Sequence, residues 1–445
     1  MNANGNARNS TDEMIEAAQA AEGIGGEGTH AEGAAASDAA KDAASTKGLL
    51  ERSPAYWEFL GTCTQCGHCT KACPSLTAAD MTLGDIARAL LAAEREAGDR
   101  EDLAYAIAGN PQLVQAVRGC FFCTTCKNTC FAHNDVCDLI YNARVDFQDL
   151  GLIPRFAWTS VQVDQEWDIF TAYRAIYGIY LGDLTRHVAT DDHEAESDCK
   201  VAFFPGCSLA AYAPELTREI FDTVQDLGGK TTMIDHCCGS PLKSAGFFER
   251  AEALCDRIAD EVASSGAKTM VCVCPGCANA MRSTLARHGL DVQVKLLPGY
   301  LSEHGFSPKR PLPDAPLCVS KSCQDRDGSY LEETCEALGV GMGAPKIFNG
   351  CCGAGGAVSA FDPNRQASQA DSKLSFADDG SVVVTMCPTC TYTYAAQLMS
   401  MPRDLSNKHY AELMFENQFD WPKVFAQLQG MYEGEYGPWL NQVFA

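Results

Sequence analysis

"KVAFFPGC" at residues 200–207, "IDHCCGS" at 234–240 and "TMVCVCPGC" at 269–277 return in the same order further along the chain. The second set is "PLCVSKSC" at 316–323, "IFNGCCGAGG" at 347–356 and "VVVTMCPTC" at 382–390. Equivalent cysteines are displaced by 116 positions (Cys207 to Cys323), 114 (Cys237 to Cys351) and 113 (Cys274 to Cys387). Three landmarks moved by nearly one distance mark an internal duplication. In each copy, apolar β-branched runs such as "KTMVCVC" and "SVVVTMC" end at cysteines, and amphipathic patterns such as "PELTREIFDTVQDLGG" separate them. Strand–helix alternation predicts an α/β domain with a largely parallel sheet in each copy. Ligands of such sheets gather beyond the carboxyl ends of the strands, where these cysteines fall.

The rest of the chain is read around that repeat. Its 445 residues allow two or three domains with real cores. Residues 1–47, rich in Ala, Gly, Asn and acids, bury too little to offset ordering entropy and are expected to be a disordered tail. Residues 48–155 read as helical with two cysteine clusters, and "MTLGDIARALLAAE" sets Leu83, Ile86, Ala87, Leu90 and Leu91 on one stripe behind an N-cap at Thr82. A second helical pattern is "NDVCDLIYNARVDFQDLG". Residues 156–198 form a helical connector in which Trp167, Phe170, Tyr173, Tyr177 and Tyr180 recur at helical spacing, read as core packing or a domain contact rather than a cofactor or quinone surface. The first repeat occupies 199–312 and the second, with a C-terminal tail, 313–445.

Composition narrows the chemistry. A net charge of −24 disfavours nucleic acid as a partner. The polar start "MNANGNARNSTDEM" and the lack of a long apolar run predict a cytoplasmic protein, reaching the inner face of a membrane only through a partner subunit. Twenty-four cysteines in such a chain point to metal or redox chemistry rather than to a disulfide framework.

"CTQCGHCTKACP" supplies Cys63, Cys66, Cys69 and Cys73, and "CFFCTTCKNTC" supplies Cys120, Cys123, Cys126 and Cys130. Both have the C-x2-C-x2-C-x3-C spacing of [4Fe–4S] ligation. Two-residue gaps let a short loop point three sulfurs inward, while the fourth reaches across. In two-cluster ferredoxins that fourth cysteine serves the other cluster, so Cys63, Cys66, Cys69 and Cys130 are expected to hold one cube. Cys120, Cys123, Cys126 and Cys73 are expected to hold the other. Structural zinc needs four ligands but no such run. Phe131 stands after Cys130, where the motif has proline.

Each repeat carries five cysteines: Cys207, Cys237, Cys238, Cys274 and Cys277, then Cys323, Cys351, Cys352, Cys387 and Cys390. A disulfide between neighbours is disfavoured, because adjacent Cα atoms lie about 3.8 Å apart and an unstrained bridge wants at least about 4.4 Å. "CPGC" and "CPTC" have the form of a thioredoxin-type dithiol, but that site needs no cysteine pair upstream. A tetrahedral zinc would leave one thiol of each five unused. Of the remaining cysteines, Cys255, Cys272, Cys318 and Cys335 are read as small buried hydrophobes, and Cys137 and Cys199 have no assigned role. His236, beside Cys237, has Gly350 as its counterpart and is read as structural rather than as a proton donor.

The order Cys207…Cys237-Cys238-Gly239…Cys274-Pro275-Gly276-Cys277, and its repeat, resembles the cysteine-rich CCG domains of the heterodisulfide reductase family. With the ferredoxin part ahead of them, residues 55–420 resemble that family's membrane-linked catalytic subunit. They also resemble iron–sulfur subunits of glycolate oxidase, anaerobic glycerol-3-phosphate dehydrogenase and sulfite-reduction membrane complexes. The resemblance implies an α-helical two-cluster ferredoxin domain followed by two duplicated α/β CCG domains. It implies two [4Fe–4S] cubane clusters and, on the ten repeat cysteines, two non-cubane [4Fe–4S] clusters, one of which zinc can replace. The implied activity is that of an iron–sulfur oxidoreductase. Electrons from a membrane cytochrome b-type or flavoprotein subunit would pass through the cubes to facing clusters that reduce a small disulfide or related sulfur substrate. The alternative is an electron-transfer subunit linking a flavoprotein dehydrogenase to the quinone pool.

Overall fold

The structure, a computed structural model, describes residues 48–134, 136–153, 161–165, 168–181, 185–186, 197–438 and 440. The tail expected at 1–47 and Trp167 lie outside the described residues. The chain divides into two compact units. One runs to Cys120 and resumes over Thr124–Pro154; the other comprises Phe121–Cys123 and the chain from Arg155 onward.

The first unit is helical. Leu83–Glu96 starts at Thr82, whose hydroxyl accepts from the Asp85 N–H while the Asp85 carboxylate accepts from the Thr82 N–H. That reciprocal pair satisfies donors the first turn leaves open. Leu83, Ile86, Ala87, Leu90 and Leu91 all face the core. The second helical pattern forms Val136–Asp149. Helices Ser53–Thr62, Arg100–Ala108 and Pro111–Arg118 complete the bundle. Two buried polar groups lock it. The Tyr56 hydroxyl donates to Asp146 Oδ2 at 2.5 Å. The fully buried Arg144 guanidinium donates to the carbonyls of Val117 (3.1 Å), Arg118 (2.8 Å) and Cys120 (3.1 Å).

The second unit holds two parallel sheets. Strands β1 (Thr185–Arg186), β2 (Val201–Phe204), β3 (Thr231–Ile234), β4 (Thr269–Cys272) and β5 (Gln293–Leu296) lie in the order β1-β3-β2-β4-β5. Strands β6 (Leu317–Ser320), β7 (Lys346–Phe348), β8 (Ser381–Thr385) and β9 (Leu405–His409) lie in the order β7-β6-β8-β9. β3-β2-β4-β5 and β7-β6-β8-β9 are thus the same arrangement, and every pairing is parallel. The central strands are buried on both faces, which is why they read as continuous apolar runs. Between them run amphipathic helices such as Pro214–Gly228 and Phe248–Ser265.

The aromatic stripe of the connector is only partly a core stripe. Its helix is Ile169–Ile176, and Gly178, at φ +62°, turns the chain away. Tyr173 is buried, whereas Tyr180 is 72% exposed.

Candidate metal centres

In both sheets the first strand of the repeat, β2 or β6, is central, flanked by β3 and β4 or by β7 and β8, and this is where crossovers depart in opposite directions. The cysteines leave from the carboxyl ends of those three strands. Cys207 follows β2, Cys237–Cys238 follow β3 and Cys274 follows β4; Cys323, Cys351–Cys352 and Cys387 follow β6, β7 and β8. Cys277 and Cys390 sit in the first turns of helices Pro275–Arg287 and Pro388–Ser400, which begin directly after Cys274 and Cys387.

The ten thiols, buried or half-buried, form one continuous string. Cys207 Sγ lies 3.9 Å from Cys237 Sγ. Cys237 is hydrogen-bonded to Cys238, Cys238 to Cys277, and Cys277 to Cys274. Cys274 Sγ lies 3.5 Å from Cys387 Sγ, joining the copies. From Cys387 the string continues through Cys390, then 3.1 Å to Cys352, then Cys351 and Cys323.

Such a row cannot ionise everywhere. Hydrogen bonds from Cys237 and Cys277 hold Cys238 well below the usual thiol range, and those from Cys323 and Cys352 do the same for Cys351. Cys274 and Cys390 lower Cys387. Their donors are pushed up: Cys237 by its bonds to Cys207 and Cys238, Cys277 by those to Cys238 and Cys274, and Cys323 by its bond to Cys351. Cys352 is raised by Cys351, and Cys390 by Cys352 and Cys387. Burial adds to each rise.

This donor set, all sulfur and five per copy, fits an iron–sulfur group. The backbone crowds in to make room for it: a Cβ on Gly206 would stand 3.3 Å from Cys277 Sγ. Among the described residues, no three or more His, Cys, Asp or Glu are placed to hold a single metal ion.

Residues that spacing did not reveal surround the string. The Cys255 thiol, half-buried rather than a plain core hydrophobe, donates to the Cys238 carbonyl at 3.7 Å. Cys238 Sγ and Ser240 Oγ are hydrogen-bonded at 3.2 Å, and Gln369 Nε2 donates to the Cys351 carbonyl at 2.9 Å. Buried His236 pairs through Nε2 with Glu261 at 3.0 Å. Cys272, Cys318 and Cys335 are buried as expected for small hydrophobes, and Cys199 is buried too.

In the first unit the thiols sort into two groups. Cys63, Cys66, Cys69 and Cys130 line one cavity of about 30 Å³. Burial raises the Cys63 thiol, and nearby Cys69 and Cys130 raise it further. Cys66, exposed, is drawn down to about 7 by the backbone N–H and side chain of His68. Cys126 is raised first by its hydrogen bond to Cys137, then by burial and by Cys120 and Cys73. Cys137 thereby gains a contact that its sequence position did not announce. Cys123 packs instead with Phe121, Cys351 and Val358 in the second unit. Both loops turn the same way. Gln65 and Gly67, two and four residues after Cys63, have positive φ, as do Phe122 and Thr124 after Cys120.

Comparison with known proteins matches this layout. Residues 62–135 match the 4Fe-4S dicluster domain, and residues 201–282 and 317–394 each match the cysteine-rich CCG domain. The chain is therefore an iron–sulfur protein joining a dicluster domain to a duplicated CCG domain, the layout of the heterodisulfide reductase family. One relative is a subunit of the dihydromethanophenazine:CoB–CoM heterodisulfide reductase of Methanosarcina acetivorans. It is 24% identical over 363 residues, covering 74% of this chain and 87% of that one. Its counterpart in Methanosarcina mazei is 22% identical over 394 residues, covering 80% and 93%. A subunit of the fumarate reductase (CoM/CoB) of Methanothermobacter marburgensis is 24% identical over 209 residues, and the chain spans only 40% of its length. No helix among the described residues is long and apolar enough to cross a membrane.

Proposed function

We propose that this chain is the sulfur-reducing subunit of a multi-subunit oxidoreductase. Cys63, Cys66, Cys69 and Cys130, and Cys120, Cys123, Cys126 and Cys73, would hold two cubane clusters suited to relaying electrons from a cytochrome b-type or flavoprotein partner. The ten repeat cysteines would hold two non-cubane clusters, whose chemistry would be the reduction of a small disulfide or related sulfur compound. The observation that carries the reading is the meeting of two complete sets of five thiols at Cys274 and Cys387. Cleaving a disulfide takes two electrons and two protons and yields two thiols. Iron–sulfur groups held by these cysteines would supply the electrons one at a time and a metal for each sulfur. The protein's part is to hold ten thiols at the strand ends, withdraw them from water and set the two sites against one another. The M. acetivorans and M. mazei relatives are named as subunits of a heterodisulfide reductase, and they match over most of their length.

Four clusters of four irons give about sixteen irons per chain. A value near eight, with zinc present, would overturn the two-non-cubane assignment. The decisive measurement adds candidate disulfides to the oxidised, partner-free protein while its paramagnetic spectrum is recorded. A substrate-specific signal lost in Cys351→Ser is expected. Silence toward every disulfide and thiol would favour the electron-transfer role, a reading also prompted by the likeness to a fumarate reductase component.

A further inference from the structure

We propose that the face of the first unit bearing Cys66, His68, Lys71 and Phe131 docks an acidic, one-electron carrier protein. The inference rests on the reading of Cys63, Cys66, Cys69 and Cys130 as cluster ligands, and it names where electrons cross the protein surface.

Three observations converge on this face. All the other cysteines are buried or half-buried, and Cys66 alone is exposed. Electron transfer slows steeply with distance, so exchange with a partner belongs where a ligand reaches the surface. Beside it stands Phe131, 72% exposed, its ring edge-on to that of His68 with centroids 4.7 Å apart and an interplanar angle of 80°. An aromatic with no core to fill, placed at a redox ligand, is what a small transient interface uses as its apolar centre.

Charge supplies the third observation and the kind of partner. The chain has 58 Asp and Glu in 445 residues, yet stretches 61–79 and 119–134 contain none, where the average would place about four or five. They carry instead Lys71, Lys127, His68 and His133. Lys71 and Lys127 lie on helices His68–Ala72 and Thr125–Asn128, which pack together. Glu58 and Asp80, both exposed, are the nearest acids flanking the first stretch. Among the described residues, no acid lines the cavity around the four thiols; Asp135, next after the second stretch, lies outside them. On a molecule of net charge −24 this patch is an uncharged-to-basic window. An acidic carrier is repelled by the rest of the surface and admitted here, which fixes its orientation as well as its rate. The step is a single electron passing between carrier and cluster, with no proton and no bond exchanged at the face.

The test uses the full chain with its clusters in place, and a reduced plant-type [2Fe–2S] ferredoxin as the acidic probe. Cluster reduction is followed by stopped-flow absorbance. The second-order rate is expected to fall as salt rises and to drop about tenfold at low ionic strength in Lys71→Glu/Lys127→Glu. A several-fold drop is expected in Phe131→Ser. A reversal on the second unit, Lys346→Glu, should leave the rate unchanged. The proposal is overturned if the double variant behaves like Lys346→Glu, if the rate rises with salt, or if basic mitochondrial cytochrome c exchanges electrons faster than the acidic probe. Paramagnetic spectra of each variant keep the two ideas apart. A native chain lacking this cube's signal sinks the cluster assignment, whereas intact signals with unaltered rates sink the docking face alone.

Discussion

Asp146 illustrates what a single buried group dictates. Burial raises its carboxyl to about 6 against the stabilising hydrogen bonds from Tyr56 and the Arg52 N–H. A carboxyl raised in the fold holds its proton while the unfolded chain has lost one, so stability falls as pH rises from about 4 to about 6 and is level above. The loss is about 2–3 kcal/mol. Asp146→Asn, which keeps an acceptor for Tyr56, should flatten that slope in denaturant melts across this window. Gly355 makes a different point. The glycines of "CCGAGG" invite the reading that they clear space at a cluster or substrate, but a Cβ on Gly355 would lie 2.2 Å from the Phe121 carbonyl oxygen, and one on Gly353 2.9 Å from that of Gln366. They are small because backbone packs against them. Gly355→Ala should therefore cost about 1–3 kcal/mol in unfolding and displace Phe121; an unchanged denaturation midpoint would contradict this. The cysteines were legible from spacing, since a thiol's chemistry needs no context to be noticed. Cys137, Cys255 and Gln369 were not, because their relevance lies in which distant backbone or thiol they touch.

Among elements, legibility followed the strength of local signals. Helix Leu83–Glu96 has a cap and a five-residue apolar stripe, both legible in the sequence, whereas the reciprocal bond from Asp85 emerges only in the fold. Thr82→Ala should lower the unfolding free energy of the first unit by about 1 kcal/mol, read as a shifted urea midpoint with unchanged slope. The connector stripe had the right period but a glycine inside it, and the helix stopped there, leaving Tyr180 outside. The second cysteine loop places Thr124 at φ +61°, where the first has Gly67. Matching backbone shape at unlike residues is a regularity that composition alone does not display.

For the molecule as a whole, the duplication was the legible fact and the relation between its copies was not. Offsets of 113 to 116 residues announce two similar domains but leave open how they meet. That depends on which side chains face across. Cys274 meets Cys387 at 3.5 Å, the Tyr410 hydroxyl donates to the Val273 carbonyl at 2.8 Å, and Asn279 Nδ2 donates to the Gln324 carbonyl at 2.8 Å.

The sulfur string reads the same from either end: lone cysteine, first and second of the pair, last and first of the C-P-x-C, then the reverse. The two copies are therefore related about Cys274 and Cys387 as halves of a symmetric dimer would be, within one chain. Side chains around the string break that likeness, three of them close to it. His236 stands against Gly350, Ser240 against Ala354, and Leu296 of β5 against the buried His409 of β9. Fusing the halves freed each to diverge, and so gave the sulfur string a left and a right.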